Sequence, residues 1–164
     1  RSVRRIRYLI MPGIRVRVAG IERTMRKLHE ISTGVPEELR RAIVLSALQV
    51  EGQAIRNISR GTRSGRVYPP IRGRRGAPHR ASAPGEFPKR DTGILTDTIT
   101  HRIDEDGLGA SVGTNTIYGL YLEFGTSRMG PRPWLLPTFR AALPKIRERI
   151  AKATLAVLRR TVGV

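Results

Sequence analysis

The chain has 164 residues, with 31 Lys and Arg, 13 Asp and Glu, and a net charge of +18. This length allows one domain, and the lack of cysteine excludes disulfides and thiolate metal sites. The apolar run from Tyr8 to Ile14 is far shorter than the roughly 20 residues of a membrane helix, and charged residues follow it too soon for a signal peptide. The positive charge favours contact with nucleic acid, an anionic membrane or an acidic protein surface. A compositional bias of the source genome is an alternative origin for part of it.

The first 18 residues form a basic segment that we expect to be an N-terminal strand or arm. Ile14, Val16 and Val18 alternate with Arg15 and Arg17, and a period of two is typical of a half-buried strand. The arginine-lined face has two interpretations that the sequence leaves open. It either protects an edge strand from unwanted pairing or contacts DNA.

Two helices are predicted next, over residues 21–31 and from about Val35 to Arg60. The second begins with Pro36, Glu37 and Glu38, which suit the first turn of a helix. Its apolar stripe consists of Leu39, Ile43, Ala47, Val50, Ala54 and Ile58. Three further apolar side chains lie off this stripe, namely Leu45, Leu48 and Ile55. We therefore expect this helix to make a second contact, either with the first helix or with a neighbouring subunit.

Residues 61–90 differ in composition and follow neither the helical nor the strand period. The segment holds five prolines and five glycines, and Glu86 is its only acidic residue among eight Lys and Arg. A loop of this length inside a small domain is usually functional or disordered. We therefore predict a long basic Pro/Gly-rich loop that becomes ordered on contact with a partner.

The second half of the chain predicts a β-hairpin followed by a long helix. Two strands are expected over residues 94–103 and 108–112, joined by the turn of residues 104–107. The apolar run from Ile117 to Phe124 fits either a third strand or a short helix, and its periodicity does not decide between them. From Thr138 onward apolar residues recur at helical spacing, and Pro144 is expected to lie in the first turn of that helix.

Together these elements predict an α+β fold in a single domain over residues 1–164. A small antiparallel sheet packs with two to three helices. Two extensions leave this core, the N-terminal arm of residues 1–18 and the loop of residues 61–90. The apolar fraction of 39% supports a core of modest size.

The segment of residues 117–137 organises the rest of the chain. An apolar aromatic run carries one acid, Glu123, and is followed by a proline-rich strap that holds the only tryptophan, Trp134. The prolines of the strap are Pro131, Pro133 and Pro137. They fix φ and lack N–H donors, which excludes an ordinary central strand. Phe124 and Trp134 are typical anchors of a core or of a subunit contact.

Two blocks of this sequence resemble a known family. Residues 118–126 read Tyr-x-x-Tyr-x-Glu-Phe-Gly-Thr and residues 131–137 read Pro-Arg-Pro-Trp-Leu-x-Pro. The other block consists of residues 65–68, 79–88 and 92–95 together with Ile99. In order and spacing, both blocks are similar to the tail-completion, or neck, proteins of long-tailed bacteriophages. The resemblance covers about residues 20–142, and the family usually has Phe where this chain has Trp134.

The resemblance implies a structural protein of the virion. Such a protein forms a ring, expected to be a hexamer, that joins the tail tube to the head connector and surrounds the DNA channel. Its partners would be further copies of itself, the connector or stopper and tail-tube proteins, and viral DNA that passes without sequence recognition. It would be found in the neck or tail of the virion and, during assembly, in the host cytoplasm, with no membrane contact.

The candidate site residues come from the two blocks and from the basic loop. Subunit-interface candidates are Tyr118, Tyr121, Glu123, Phe124, Pro133, Trp134, Tyr68 and Phe87. Candidates for contact with the DNA channel or an acidic partner are Arg63, Arg66, Arg72, Arg74, Arg75, Arg80, Lys89 and Arg90. Arginine suits either partner because its guanidinium binds phosphate and carboxylate in a fixed fork geometry.

We expect no enzymatic activity, no cofactor and no metal. The three histidines fall on different predicted elements, without the spacing of a zinc site. The acids of residues 104–106 lack the terminal glutamate of a calcium loop, because position 115 is Asn. Asp97 and Glu123 could be read as a nuclease pair, but a Glu123 that satisfies an arginine or a backbone group at an interface is the better interpretation.

Two other classes of function remain alternatives. The first is a free, sequence-independent nucleic-acid-binding protein, which the net charge of +18 suits. Such a protein usually has a stacking aromatic platform or a helix-turn-helix motif, and neither is recognisable here. The second, a basic nuclease, is the least favoured.

Overall fold

The computed structural model describes residues 37–70 and 78–162. These residues form four helices and two small antiparallel sheets of two strands each, which confirms the predicted α+β fold. The elements are α1 (Glu37–Arg60), β1 (Val67–Tyr68), β2 (His79–Arg80), α2 (Ile94–Thr98), β3 (Ile99–Ile103), β4 (Ala110–Thr114), α3 (Ile117–Phe124) and α4 (Leu136–Val162). The predicted N-terminal arm, the predicted helix over residues 21–31 and loop residues 71–77 lie outside the described residues.

Helix α1 is the central element of the core. Its first turn carries Glu37 and Glu38, which favour the positive end of the helix dipole, and Arg60 closes its last turn. The predicted stripe is confirmed, because every member is buried: Leu39, Ile43, Ala47, Val50, Ala54 and Ile58. The helix contacts α4 along one side and strands β3 and β4 along another. Arg149 joins the two long helices by donating to the Ser46 hydroxyl and the Gln49 side-chain carbonyl.

The predicted hairpin exists, but its first strand is shorter than expected. Residues 94–98 form the helix α2 and only Ile99–Ile103 form a strand, which pairs with Ala110–Thr114. Gly93 adopts φ +93° immediately before the helix, a conformation that glycine adopts without strain. Threonine hydroxyls donate to carbonyls one turn earlier, from Thr96 to Gly93 O and from Thr98 to Ile94 O. These local bonds outweigh the strand propensity of the β-branched residues.

Residues 117–124, for which the sequence allowed either a strand or a helix, form the helix α3. The last helix begins two residues earlier than predicted. The expectation for Pro144 was wrong, since it is the ninth residue of α4 and not part of its first turn. It lacks the N–H that would pair with the Arg140 carbonyl, and both residues are exposed, so water can satisfy that carbonyl. Within residues 37–70 and 78–162, no helix combines the length and apolarity needed to cross a bilayer.

The described parts of loop 61–90 are folded, which corrects the expectation of no regular structure there. Val67 pairs with Arg80 and Tyr68 with His79, so β1 and β2 form a short two-stranded ribbon. The base of the loop lies on the end of α1, where Gly61 and Arg90 both donate backbone N–H bonds to the Ile58 carbonyl. Gly61 is required by packing, because a Cβ there would lie 2.7 Å from the Pro88 carbonyl oxygen.

Candidate subunit interface

Helix α3 has two chemically different faces. Gly119 and Glu123 are buried on its inner face. Its outer face carries Ile117, Tyr121 and Phe124, which are 60%, 43% and 62% exposed. Positions i, i+4 and i+7 share one side of a helix, so these three side chains form a continuous apolar stripe. We call Ile117, Tyr121 and Phe124 the α3 stripe.

The inner face of α3 is fixed by the carboxylate of Glu123. One oxygen accepts backbone N–H bonds from Trp134 at 2.7 Å and Leu135 at 2.9 Å, and the other accepts one from Leu136 at 2.9 Å. These are N–H groups at the start of α4, which have no partner inside the helix. A buried negative charge also suits the positive end of the helix dipole. Glu123 therefore caps α4 and sets its position relative to α3.

Trp134 fixes the same junction from the opposite direction. Its indole Nε1 donates to the Gly119 carbonyl at 2.9 Å, and the side chain is only 2% exposed. Gly119 has no room for a side chain, because a Cβ would lie 2.5 Å from Thr114 Cγ2 and 3.1 Å from Leu95 Cδ1. Helix α3 thus packs closely against β4 and α2. The indole hydrogen bond holds the proline-rich strap against α3.

Two of the predicted interface residues are therefore core residues. Glu123 and Trp134 are buried inside the chain and already have internal partners. Of the two anchoring roles considered for Trp134, the core role is the one the structure supports. For Glu123, the expected backbone partner is found within the chain rather than across an interface. Phe124, by contrast, is the most exposed residue of the α3 stripe.

The two sequence blocks that carry the resemblance are in contact. Arg132 Nε donates to the Ser82 carbonyl at 2.8 Å, and Gly85 N donates to the Pro131 carbonyl at 2.8 Å. Arg132 is 8% exposed and Ser82 is 2% exposed, so the first of these bonds is buried. The base of loop 61–90 and the proline-rich strap consequently form one folded unit.

Glu86 holds the two sides of that loop together. Its carboxylate accepts hydrogen bonds from the hydroxyls of Thr62 and Ser64 and from the backbone N–H of Ala83. The bonds from Ser64, Thr62 and Ala83 hold the pKa of Glu86 below its ordinary value. The single acid of the basic loop is thus a structural crosslink, not a free charge.

The other interface candidates differ in exposure. Tyr68 is exposed on the ribbon, with the guanidinium of Arg66 at 5.5 Å from its ring centroid. Tyr118 and Phe87 are partly buried and pack against the core. Pro133 is half-buried in the strap. Tyr68, Tyr121 and Phe124 therefore remain the candidates with side chains available to another molecule.

The described basic candidates differ in exposure and in their partners. Exposed members are Arg63, Arg66, Arg80 and Arg90, whereas Lys89 is half-buried. Lys89 Nζ donates to the Ser59 carbonyl at 2.8 Å, and Arg90 lies 3.8 Å from the Asp97 carboxylate. Arg72, Arg74 and Arg75 lie outside the described residues.

Sequence reasoning missed two features of this region. Ile117 belongs to the α3 stripe but was not a candidate, because the sequence left open whether residues 117–124 form a strand or a helix. Arg132 was also missed, although a lone arginine between two prolines in an apolar strap is itself a signal. Such a residue is seldom buried without a specific role.

The remaining titratable clusters do not assemble a metal site. His101 Nδ1 lies 2.6 Å from a Glu51 carboxylate oxygen, and His79 Nδ1 lies 3.3 Å from Asp91. Within the part of the chain that the structure describes, no group of three His, Cys, Asp or Glu side chains could hold a metal ion. The Glu123 oxygens of the nuclease interpretation already accept bonds from three backbone N–H groups.

No family model, curated protein or solved structure matches this chain. The family resemblance drawn from the two blocks accordingly remains a prediction.

Proposed function

We propose that this chain is a structural subunit of a phage neck or tail end, where copies form a ring around the DNA channel. The α3 stripe is the observation that carries the proposal. Tyr121 and Phe124 belong to the motif that resembles the neck family, and both are turned away from the core of their own chain.

An exposed stripe of this kind is unfavourable for a free monomer. Single exposed apolar residues are ordinary, but a contiguous apolar patch marks a contact surface. Aromatic residues such as Tyr121 and Phe124 are also the types that contribute most to binding at subunit contacts. The rigid cap of Glu123 on α4 holds the stripe in one orientation, which reduces the entropy lost on association.

A closed ring needs two different, complementary surfaces on each subunit. The α3 stripe supplies one. A second apolar surface lies on α1, where Leu45 and Leu48 are 44% and 45% exposed at positions i and i+3. Both lie off the buried stripe of α1, as the sequence predicted, whereas Ile55, the third residue off that stripe, packs against the core. The exposed Tyr68 of the ribbon gives loop 61–90 a further place to engage a neighbour.

The alternative function, free binding of nucleic acid, is favoured by one feature of α4. Many of its exposed residues are basic, namely Arg140, Lys145, Arg147, Lys152, Arg159 and Arg160. Glu148 pairs with Lys152, and Glu38 of α1 pairs with Arg160. In a ring, this basic surface would suit a channel wall that lets DNA pass, because its charges attract phosphate without reading sequence.

The experiment is a native mass measurement of the full chain beside its Phe124→Asp variant. We expect the unaltered chain to form a closed oligomer and the variant to be monomeric. A buried aromatic anchor contributes on the order of 2 kcal/mol, so its loss should raise the dissociation constant by about 30-fold or more. Circular dichroism should show the same helix content in both proteins, because Phe124 is exposed.

The matched control is Leu155→Asp, which places the same charge on another apolar side chain that is 54% exposed, on α4. We expect this variant to oligomerise like the unaltered chain. Equal loss of oligomer in both variants, or a monomeric unaltered chain, would count against a specific contact through α3.

A further inference from the structure

A pocket of about 240 Å³ lies between the base of loop 61–90, α2 and the strap. The basic or imidazole residues of its lining are His79, Lys89, Arg90 and Arg132, and the hydroxyl-bearing residues are Ser82, Thr92, Thr96 and Tyr118. Asp91 is the only acid in its lining, and it is 3.3 Å from His79. Lys89 Nζ donates to the Ser59 carbonyl and Arg90 lies 3.8 Å from the Asp97 carboxylate. Arg132 therefore differs from His79 and Arg90 in having no carboxylate nearby in the described residues.

Arg132 is the least exposed of these cations. Its side chain is more than nine-tenths buried, and its Nε donates to the Ser82 carbonyl. In residues 37–70 and 78–162, no carboxylate lies within ion-pair distance of its guanidinium. An arginine has five N–H donors, and a buried guanidinium is unfavourable without an anionic partner. No buried side-chain nitrogen or oxygen of the described residues lacks a hydrogen-bond partner. Guanidinium N–H groups of Arg132 that make no bond within the chain therefore reach solvent, where an anion can bind them.

The lining favours a carboxylate on an apolar stem over a phosphate of duplex DNA. Ile58, Leu95 and Leu122 form part of the wall, and such side chains pack against methylene groups but not against a hydrated backbone. A recessed, nearly buried guanidinium is also out of reach of a phosphate held on the convex surface of a duplex. Burial raises the pKa of the Tyr118 phenol, so this group stays protonated and can donate to a carboxylate.

This chain carries such a carboxylate at the tip of the β3–β4 turn. Gly107 N donates to the Asp104 carbonyl and Asp104 N to the Gly109 carbonyl, which makes the turn rigid. The Asp106 carboxylate accepts the Leu108 N–H at 2.9 Å. Glu105 is exposed, and no ion pair or hydrogen bond of its side chain is found in the described ranges. With respect to residues 37–70 and 78–162, its carboxylate is available to another molecule.

The pocket and the turn lie at opposite ends of α1. The pocket includes Ile58 near the end of the helix, whereas Gly107 packs against Arg40 near the beginning. These two helix positions are 18 residues apart, which corresponds to about 27 Å along the axis. Glu105 therefore cannot reach the pocket of its own chain, but it can reach that of another copy. Two complementary surfaces at opposite ends give the head-to-tail contact that builds a ring.

We propose that the Glu105 carboxylate of one copy binds in the pocket beside Arg132 of the next copy. This inference rests on the proposed ring. It identifies a charged contact between neighbouring subunits, in addition to the apolar contact through the α3 stripe. The pocket supplies the basic surface and the turn supplies the acidic one. Because the chain carries a net charge of +18, such a local pairing also offsets the repulsion between neighbouring copies.

The test uses the absence of cysteine from the chain. A full-length Arg90→Cys, Glu105→Cys variant is treated with a short bismaleimide at a concentration at which the unaltered chain oligomerises. We expect a ladder of covalent oligomers from the double variant and essentially none from either single variant. The matched control is Arg90→Cys with Glu148→Cys, since Glu148 is another exposed glutamate, and we expect no ladder there.

A charge exchange gives a second, independent readout. Arg90→Glu should weaken the oligomer, and the added Glu105→Arg should restore it. Covalent dimers from either single variant would indicate a two-fold contact and overturn the proposal, as would a double variant no more reactive than the control. If Arg90→Glu instead weakens binding of a short DNA duplex and Glu105→Arg restores nothing, the pocket serves phosphate and the proposal is wrong. A two-fold contact would also contradict the proposed ring, which needs head-to-tail contacts. In the other two cases a persistent oligomer would leave the proposed ring intact, whereas a monomeric unaltered chain would contradict both.

Discussion

At the scale of single residues, Glu123 makes the structural contribution that is easiest to isolate. Its two oxygens accept three backbone N–H bonds from the start of α4, and the residue is 6% exposed. We expect Glu123→Gln to lower the free energy of unfolding by about 2 kcal/mol. The amide keeps one acceptor oxygen, but its NH2 group faces backbone donors and the charge is lost. Urea unfolding followed by circular dichroism measures the change.

The control for this prediction is Glu148→Gln. Glu148 is exposed and pairs only with Lys152, one turn later on α4. Its replacement should change the stability by no more than about 0.5 kcal/mol. Equal effects of the two substitutions would show that the Glu123 cap adds nothing beyond an ordinary surface charge.

Glu86 gives the base of the loop a dependence on pH. Hydrogen bonds from Ser64, Thr62 and Ala83 lower its pKa in the folded chain below 4.5, the ordinary value. Because the pKa of Glu86 is lower in the folded chain, its hydrogen bonds stabilise the loop fully at any pH above the pKa of the unfolded chain. This stabilisation is lost as the pH falls through the pKa of the folded chain. We expect the amide of Ala83 to exchange hydrogen faster as the pH falls below about 4.5, after correction for intrinsic exchange.

The matched variant is Glu86→Gln, which cannot ionise but keeps a carbonyl acceptor. Its Ala83 amide should show no corrected pH dependence over this range. If the unaltered chain also showed none, the three hydrogen bonds to the carboxylate would not be what holds the loop.

At the scale of elements, regular patterns were predictable and local exceptions were not. The buried stripe of α1 followed from spacing alone. Helix α2 was read as a strand because its β-branched residues favour one, while the left-handed Gly93 and the threonine hydroxyl bonds favour the helix. The packing of α3 places Gly119 close to Thr114 and Leu95. That contact joins distant residues, which a local pattern does not contain.

The candidate site was also predictable only in part, because some of its contacts join residues that are distant in the sequence. The sequence singled out Tyr121 and Phe124, both of which are exposed on α3. It could not separate them from Trp134, because aromatic residues anchor cores and interfaces alike. The pairing of Arg132 with Ser82 spans 50 residues, so no local motif reveals it.

The ribbon of loop 61–90 allows a test of its role in assembly. Tyr68 pairs with His79, so a two-residue Asn-Gly turn can replace residues 69–78 and close the hairpin. We expect this shortened chain to stay folded with a melting temperature within about 5 °C of the original, because Ser82, Phe87 and Pro88 are retained. We expect its oligomer to be weakened, since the basic tip is gone.

Native mass measurement and thermal unfolding are the two readouts of that test. A full oligomer with the shortened loop would show that the tip is dispensable for assembly. A shortened chain that does not fold would show that residues 69–78 belong to the core, which would contradict the loop's predicted role.

At the scale of the whole molecule, charge and apolar surface separate the two functional hypotheses. A free nucleic-acid-binding protein with a net charge of +18 should lose affinity for duplex DNA steeply as salt increases, with a slope set by the number of phosphate contacts. A ring subunit also attracts DNA, but its assembly depends on the apolar α3 stripe. We therefore expect Phe124→Asp to abolish the oligomer while leaving the salt slope for DNA almost unchanged.

Gel filtration and a salt series of DNA-binding isotherms make that comparison on the same two proteins. A second variant replaces two basic residues of α4, Arg147→Glu and Lys152→Glu. It should reduce the salt slope of DNA binding by about two and leave the oligomer intact. The ring hypothesis would lose its support if the α4 substitutions removed the oligomer and Phe124→Asp did not.

The most direct test of the central claim is to count copies of this chain in purified phage particles by quantitative mass spectrometry. We expect about six copies per particle, or about twelve if two rings stack, beside a far larger number of capsid subunits. A chain that is absent from particles but is recovered with DNA from the cell extract would contradict a role in the neck or tail.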